Sequence, residues 1–198
     1  MSSARWWRRS FLRARGNDSP GSPGSRRDCV RVIGIDPGSR ICGYGIVEKG
    51  AESCGGYRYI ASGRIELSSN DPLHVRLNDI YLTLAEIIGE YRPIQAAVER
   101  VFFAKSVKAA LHLGHARGAS MLAATAGGLE VFEYSALEVK KALVGYGRAE
   151  KSQVQAMVKA VLNLKRALSP DSADALALSI CHLNTMRFCE TVKHPHRK

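Results

Sequence analysis

Short apolar runs and longer stretches with apolar residues at every third or fourth position alternate along this chain. The short runs are rich in β-branched residues and predict five strands, at 30–36, 43–48, 57–67, 94–99 and 129–134. The longer stretches predict five helices, at 72–91, 105–126, 135–144, 151–164 and 169–186. This order of elements predicts an α/β domain, with a mixed five-stranded sheet and helices on both faces.

Residues with strong positional preferences mark several ends and turns of these elements. Ser135 with Glu138 three residues later predicts a capping box at the start of one helix, and Ser169 before a proline predicts the start of the last helix. Gly63 lies inside the third strand, where a glycine indicates a bulge or a turn. The many alanines and glycines of the 105–126 helix predict close packing against another helix, within the domain or across a dimer.

Four carboxylates stand out because of where the predicted elements place them. Asp36 ends the first strand and Glu99 ends the fourth, so each is held rigidly where the chain turns toward solvent. Asp171 and Asp174 are three residues apart at the start of the last helix and share one face of it. Each position also has an ordinary interpretation, since Asp-Pro-Gly forms turns and the helix dipole favours acids in a first turn. Against this, apolar neighbours would pull Asp174 toward the core, where a divalent cation would offset the cost of a buried carboxylate.

Such an acidic site suggests a particular chemistry. Oxygen ligands without a Cys or His cluster suit Mg²⁺ or Mn²⁺ better than Zn²⁺. Two such ions about 3.5–4 Å apart commonly drive in-line attack on a phosphodiester. The formal net charge of +11 points to a polyanionic partner, nucleic acid before membrane. We therefore expect cleavage of nucleic acid.

The composition divides the chain into three parts. Residues 1–29 carry seven Arg and two Asp, with a stretch rich in Ser, Pro and Gly, and we expect a disordered basic N-terminal extension. A transit peptide or a nucleic-acid-binding arm is an alternative for this part, whereas an export signal would need an apolar region that is missing. Residues 30–187 form the expected nuclease domain, and 188–198 form a basic C-terminal tail.

The cysteines and the hydropathy indicate the compartment. There are five cysteines, an odd number, and none forms a Cys-x-x-Cys pair, so we expect reduced thiols. No apolar run approaches the ~18 residues that a transmembrane helix needs. We therefore expect a cytoplasmic protein that does not enter a membrane.

Several motifs, taken in order, resemble the RuvC family of Holliday-junction resolvases. They are 33–40 (IGIDPGSR), 98–102 (VERVF), Lys105, 145–154 (GYGRAEKSQV) and 171–177 (DSADALA). Each motif alone is moderately specific, whereas the set at compatible spacing is highly specific. The resemblance covers about 30–182, nearly the whole predicted domain.

The resemblance implies a ribonuclease H-like fold and a homodimer that binds a four-way DNA junction. The dimer would cut the junction by paired symmetric nicks during recombination and repair, with two Mg²⁺ or Mn²⁺ ions in each active site. By the same resemblance, its partners would be the branch-migration proteins RuvA and RuvB.

The resemblance also assigns roles to individual residues. Asp36, Glu99, Asp171 and Asp174 would be the four catalytic and metal-binding acids. Phe102 matches an aromatic residue that stacks on a junction base, although a Phe beside another Phe is more often part of a core.

Five basic residues complete the candidate site. Lys140 and Lys151 match residues that approach the scissile phosphate, and Lys151 would be catalytic. Lys105, Lys108 and Arg117 lie along one predicted helix and are candidates for binding DNA phosphates, with an ordinary solvated face as the alternative.

Three rival functions remain open at this point. The Gly-x-Asp-x-Gly pattern also occurs in the first phosphate loop of actin- and Hsp70-type phosphotransferases, but the chain is too short for their two lobes. A ribonuclease H-like RNA-processing nuclease would share the four acids. A junction-binding protein without catalysis would not need all four.

Overall fold

The computed structural model describes residues 29–50, 56–100 and 106–193, with side chains described as far as Met186. The elements, in chain order, are β1 (Val30–Asp36), β2 (Ile41–Lys49), β3 (Tyr57–Glu66), α1 (Leu73–Tyr91), β4 (Gln95–Glu99), α2 (Val107–Ala126), β5 (Glu130–Tyr134), α3 (Ala136–Val144), α4 (Lys151–Val161) and α5 (Pro170–Lys193). All five predicted strands and all five predicted helices are present.

The strands form one mixed sheet with β1 at its centre. The strand order is β3-β2-β1-β4-β5, and β1, β2 and β3 pair antiparallel as consecutive hairpins. β4 lies parallel to β1, and β5 lies parallel to β4. The predicted mixed five-stranded sheet is confirmed, and its parallel part brings the ends of β1 and β4 to the same edge.

Helices cover both faces of the sheet, as the sequence predicted. On one face, Ile33 and Ile35 of β1 pack with α1 and α2 in a buried core. On the other face, Val32 packs with α3, α4 and α5, where Leu176 is fully buried. The two cores follow the alternation of side chains along β1, because successive residues of a strand point to opposite faces.

Glycines in β1 and β2 allow α5 to lie directly against the sheet. A Cβ atom at Gly34 would stand 1.9 Å from the carbonyl oxygen of Ala175, and one at Gly43 would stand 2.3 Å from that of Asp171. Neither distance is possible for a real side chain, so these two positions require glycine. The first turns of α5 therefore lie beside the end of β1.

The position of Gly63 differs from the prediction. The register of β2 and β3 shifts between Ile46 and Val47, whose partners are Ala61 and Tyr59, so the extra residue is Ile60. Gly63 pairs regularly with Tyr44, and a Cβ there would meet the Tyr44 ring at 2.7 Å. The bulge prediction at Gly63 was wrong because this glycine makes room for an aromatic ring on the neighbouring strand.

The predicted helix starts are largely correct, whereas two of the helix ends differ. Ser135 and Glu138 form the predicted capping box, and the Ser169 hydroxyl accepts a hydrogen bond from the Ser172 backbone at 3.3 Å. α4 ends at Val161, three residues before its predicted end, and α5 continues to Lys193. No helix in the described ranges is long and apolar enough to cross a membrane.

Candidate active site

Three separate segments bring the predicted acids together. Asp36 and Glu99 end the parallel neighbours β1 and β4, and their side chains are hydrogen bonded to each other. Asp174, on α5, is close enough to act on the charge of both, and Asp171 acts on Asp36. All four predicted acids therefore belong to one electrostatic cluster.

The first two acids share a proton at neutral pH. Burial, followed by repulsion from Glu99 and Asp174, raises the pKa of Asp36 from 3.8 to about 8. Burial also raises the pKa of Glu99, although the hydrogen bond from Asp36 opposes this effect. A protonated Asp36 carboxyl thus donates the hydrogen bond to Glu99, as expected where like charges cannot both ionise.

Lys151 places a positive charge in the same cluster. It begins α4, and its Nζ atom lies 2.5 Å from Oδ2 of Asp174. This hydrogen bond, more than any other interaction, raises the pKa of the Lys151 ammonium. Because the Lys151 side chain is 61% exposed, the ammonium group also faces the solvent from which a substrate would approach.

The cluster opens into a cavity of about 230 Å³. Its polar lining consists of Asp36, Glu99, Asp174, Lys140 and Lys151. Its apolar lining consists of Ala136, Val139, Val154, Ala177 and Leu178. An apolar wall beside charged groups lowers the local dielectric constant and strengthens their interactions.

Asp171 lies at the edge of this arrangement. It is not part of the cavity lining, and its carbonyl oxygen lies against Gly43, the residue of β2 that pairs with Asp36. Its position on the first turn of α5 nevertheless brings its charge within range of Asp36 and Lys151.

The donor set fits a hard divalent cation. All the acidic groups are carboxylates, the oxygen ligands that Mg²⁺ and Mn²⁺ prefer. Among the described residues, no three His, Cys, Asp or Glu side chains are already arranged as a metal cluster. A proton held between Asp36 and Glu99, and the ammonium of Lys151 on Asp174, instead occupy oxygens that a metal would use. A cation would replace these positive charges and relieve the repulsion that raises the pKa of Asp36.

Arg117, predicted as a DNA contact, lies beneath the end of β4. Its Nε donates to the carbonyl oxygen of Glu99 at 3.2 Å, and its guanidinium forms an ion pair with Glu133 of β5. Glu133 also accepts a hydrogen bond from Arg100 through its carbonyl oxygen, at 3.2 Å. Arg117 therefore ties α2 to the strand end that carries Glu99, and its predicted role in DNA binding remains untested.

The other predicted DNA contacts fall in different places. Lys140 is half-buried and lines the cavity, as a phosphate contact would require. Lys108 is exposed on the first turn of α2 and lies outside the cavity lining. Phe102 and Lys105 lie outside the described residues.

Glu133 was not predicted from the sequence as part of the site. The alternation of polar and apolar residues along β5 did not indicate that Glu133 would face Arg117. That contact depends on the pairing of β4 with β5. A carboxylate within a short strand beside the Glu99 strand was the only available signal.

The sheet is mixed and carries acids at the ends of its central parallel strands, with further acids on the helix packed across them. This arrangement defines the ribonuclease H-like class of nucleases. The family described as Crossover junction endodeoxyribonuclease RuvC matches residues 32–182, and the chain belongs to this family. It is 49% identical over 156 residues to the crossover junction endodeoxyribonuclease RuvC of Geobacter sulfurreducens, a match that covers 79% of this chain and 93% of the relative.

Solved structures support the same conclusion. The Thermus thermophilus RuvC structure has a TM-score of 0.74 and 34% identity, and the match covers 81% of this chain and 97% of that one. The structure of T. thermophilus RuvC in complex with Holliday junction substrate has a TM-score of 0.71 and 33% identity, over 80% of this chain and 96% of that one. The yeast mitochondrial Holliday junction resolvase Ydc2 shares the fold, with a TM-score of 0.58 and 14% identity.

Proposed function

We propose that this chain is a metal-dependent endonuclease that resolves four-way DNA junctions by paired symmetric nicks. The observation that carries the proposal is the carboxylate cluster of Asp36, Glu99 and Asp174 in one cavity, in a member of a family with a structure bound to Holliday junction substrate. A protein that acts on DNA must lie in the compartment that holds the DNA. In a bacterium this compartment is the cytoplasm, which we propose as the location of the protein.

Asp36, Glu99, Asp171 and Asp174 would hold two Mg²⁺ or Mn²⁺ ions. When bound, such ions activate the attacking water and stabilise the leaving oxygen of a phosphodiester. To act as ligands, Asp36 and Glu99 must first release the proton that they share. The high pKa of Asp36 therefore makes metal binding weaker as the pH falls.

Lys151 and Lys140 would act on the phosphate itself. Lys151, which pairs with Asp174 here, would be free to contact the scissile phosphate if that carboxylate held a metal. Lys140 lines the same cavity and would fix the neighbouring phosphate of the strand. Fixed cations in a site with an apolar wall stabilise the extra negative charge of the transition state.

Two symmetric nicks need two active sites, and α2 offers a surface for a second copy of the chain. Leu111 and Leu122 are 57% and 60% exposed on one face of this helix. Gly114 and Gly118 lie between them, and a Cβ atom at either position would meet no described atom within 4 Å. An exposed apolar stripe with small residues at its centre suits the close approach of a partner helix. The proteins RuvA and RuvB are proposed as partners by family resemblance alone.

Cleavage of three substrates in Mg²⁺ tests the proposal. The substrates are a synthetic mobile four-way junction, a linear duplex and an RNA–DNA hybrid, and Asp174→Asn serves as the inactive control. We expect paired nicks at symmetric positions in the junction alone. Cleavage of the hybrid or of RNA would instead support the rival RNA-processing function, and binding without cleavage would support a junction-binding protein.

A further inference from the structure

One tyrosine near the active site is exposed at the surface of the protein. All seven tyrosines of the chain lie in described residues, and six of them are buried or half-buried. Tyr146 is the exception, at 48% exposed. A large exposed aromatic ring outside a core is a common feature of binding surfaces.

Tyr146 lies in the short loop that joins α3 to α4, the two helices that carry the cavity lysines. Gly145 before it has a φ of 88°, in the left-handed region that favours glycine, and this turns the chain out of α3. Gly147 after it lies against Leu137, since a Cβ atom there would stand 2.2 Å from Cδ1 of Leu137. The loop therefore folds back along α3, toward the end where Ala136 lines the cavity.

The distance from Tyr146 to the reacting phosphate is limited by the chain. Tyr146 lies five positions before Lys151 in the chain, which at about 3.4 Å per residue is at most ~17 Å between their Cα atoms. Successive phosphates of a duplex strand advance by about 3.4 Å along the helix axis. A strand cut beside Lys151 can therefore reach Tyr146 within about five nucleotides.

The charges around the loop favour a nucleic acid as its ligand. The nearby basic residues are Lys140, Lys141, Arg148 and Lys151. The two acids of this segment, Glu138 and Glu150, are engaged in the capping boxes of α3 and α4. The segment therefore carries two more basic than acidic residues beside an exposed aromatic ring. Basic residues beside an aromatic ring are the combination that binds single-stranded or unstacked nucleic acid.

We propose that Tyr146 stacks on a base of the cleaved strand within about five nucleotides of the scissile phosphate. The contact is separate from the one expected for Phe102, which follows β4 rather than α3. It rests on the proposed junction-cleaving function. Because every base has a π-face, the contact would hold the strand in register without selecting a particular sequence.

The first test is single-turnover cleavage of a four-way junction by Tyr146→Ala and Tyr146→Phe. We expect a 5- to 100-fold slower rate for Tyr146→Ala, about the range that base–aromatic stacking gives on alanine substitution, and a nearly normal rate for Tyr146→Phe. Ile94→Ala is the matched control, because Ile94 is 57% exposed beside β4 at the opposite end of that strand from Glu99. A normal rate for Tyr146→Ala, with an active wild type, overturns the inference, whereas an inactive wild type overturns the proposed function.

The second test locates the contact. A fluorescent base, 2-aminopurine, is placed in turn at positions flanking the scissile phosphate, and binding is measured with Asp174→Asn so that the DNA stays intact. We expect fluorescence quenching at one or two positions that disappears when Tyr146→Ala is added. Quenching that is unaffected by Tyr146→Ala at every position would overturn the stacking contact.

Discussion

Folding and metal binding favour opposite charge states of the Asp36 carboxyl group. Asp36 ends the central strand, lies half-buried, and is repelled by three other carboxylates. A neutral carboxyl group here stabilises the metal-free fold more than an ionised one, whereas a metal ligand must be ionised. Burial and the neighbouring carboxylates favour the neutral form and raise the pKa of Asp36 to about 8.

Replacing Asp36 by Asn should therefore stabilise the metal-free protein at high pH. The pKa of Asp36 is about 8 in the folded chain against 3.8 ordinarily, so the folded state binds the proton more tightly. The contribution of Asp36 to wild-type stability then falls as the pH rises from about 4 to about 8, whereas Asn has no proton to lose. We expect the free energy of unfolding of Asp36→Asn to exceed that of wild type by about 0.5–2 kcal/mol at pH 8, and by less at pH 5.

Urea unfolding in a chelating buffer at the two pH values measures this difference. Addition of Mg²⁺ should reduce it, because the metal stabilises only the wild-type cluster. If the Asn variant is less stable than wild type at pH 8, the prediction is wrong. The contacts of the Asp36 carboxyl group would then stabilise the fold by more than its repulsion from the other carboxylates destabilises it.

Asp174→Asn should abolish cleavage and keep junction binding. The variant keeps the shape of the side chain but removes the charge that pairs with Lys151 and would hold a metal. Loss of several kcal/mol of transition-state stabilisation corresponds to a rate lower by about 10³-fold or more. Single-turnover cleavage and a gel-shift titration in Ca²⁺ separate the two effects.

Glu86→Gln is the control for this substitution, since Glu86 is an exposed acid on α1, away from the cavity lining. Loss of junction binding together with loss of the cooperative unfolding transition in Asp174→Asn would mean that this acid is structural.

At the scale of elements, local pattern was enough to find the strands and most helix starts. The β-branched run of β1 and the Ser135 capping box are local signals, and both were correct. The end of α5 was predicted at 186 because apolar periodicity fades there, yet the helix continues to Lys193. The prediction for Gly63 was wrong because this position must leave space for the ring of Tyr44, which lies on another strand.

The contact between α5 and the sheet makes Gly43 sensitive to any side chain. In Gly43→Ala, the new Cβ must push the first turn of α5 away from β2, because it would otherwise stand 2.3 Å from the Asp171 carbonyl. We expect a loss of about 1–3 kcal/mol in the free energy of unfolding, as for other overpacked sites. Cleavage should fall as well, since Asp171 and Asp174 move with the helix.

Gly89→Ala is the matched control within α1, where a Cβ would have open space. It should be neutral or stabilising by up to about 1 kcal/mol, because alanine favours helix. Thermal unfolding and junction cleavage of both variants check the prediction. Equal behaviour of the two variants would mean that the approach of α5 tolerates a methyl group.

Arg117 allows two interpretations to be separated experimentally. If it positions the end of β4, then Arg117→Met should raise the Mg²⁺ concentration needed for half-maximal cleavage by about 10-fold, as outer-shell substitutions commonly do. Junction affinity in Ca²⁺ should stay the same. If Arg117 instead binds a DNA phosphate, affinity and its salt dependence should fall and the Mg²⁺ requirement should not change.

Glu133→Gln supplies the matching test, since Glu133 pairs with the same guanidinium. Its effect should not add to that of Arg117→Met if the two act as one unit.

At the scale of the whole molecule, the four acids could be found from the sequence but their mutual arrangement could not. Their positions at strand ends and at a helix start were visible in the pattern. That Asp36 would share a proton with Glu99, and that Lys151 would pair with Asp174, depends on the parallel pairing of β1 with β4 and on the seating of α4 and α5. Such long-range packing leaves no periodic trace in the sequence.

The proposed dimer can be tested through the exposed face of α2. Leu122→Asp should shift the chain from dimer to monomer in light scattering, because a charge would be buried in an apolar interface. Ile94→Asp, at a similarly exposed apolar position outside α2, should leave the mass unchanged. A wild type that is monomeric at micromolar concentration would contradict the dimer in solution.

The packing of α5 against the glycines of β1 and β2 affects when the active site can form during synthesis of the chain. The strands that receive this helix are synthesised first, and the helix that supplies Asp171 and Asp174 follows all five strands along the chain. Contacts between such distant segments form late, after the closure of long loops. A nascent or truncated chain that holds Asp36 and Glu99 but lacks α5 therefore has no complete acid cluster. We therefore expect a chain truncated before α5 to lack nuclease activity even where its five strands are present.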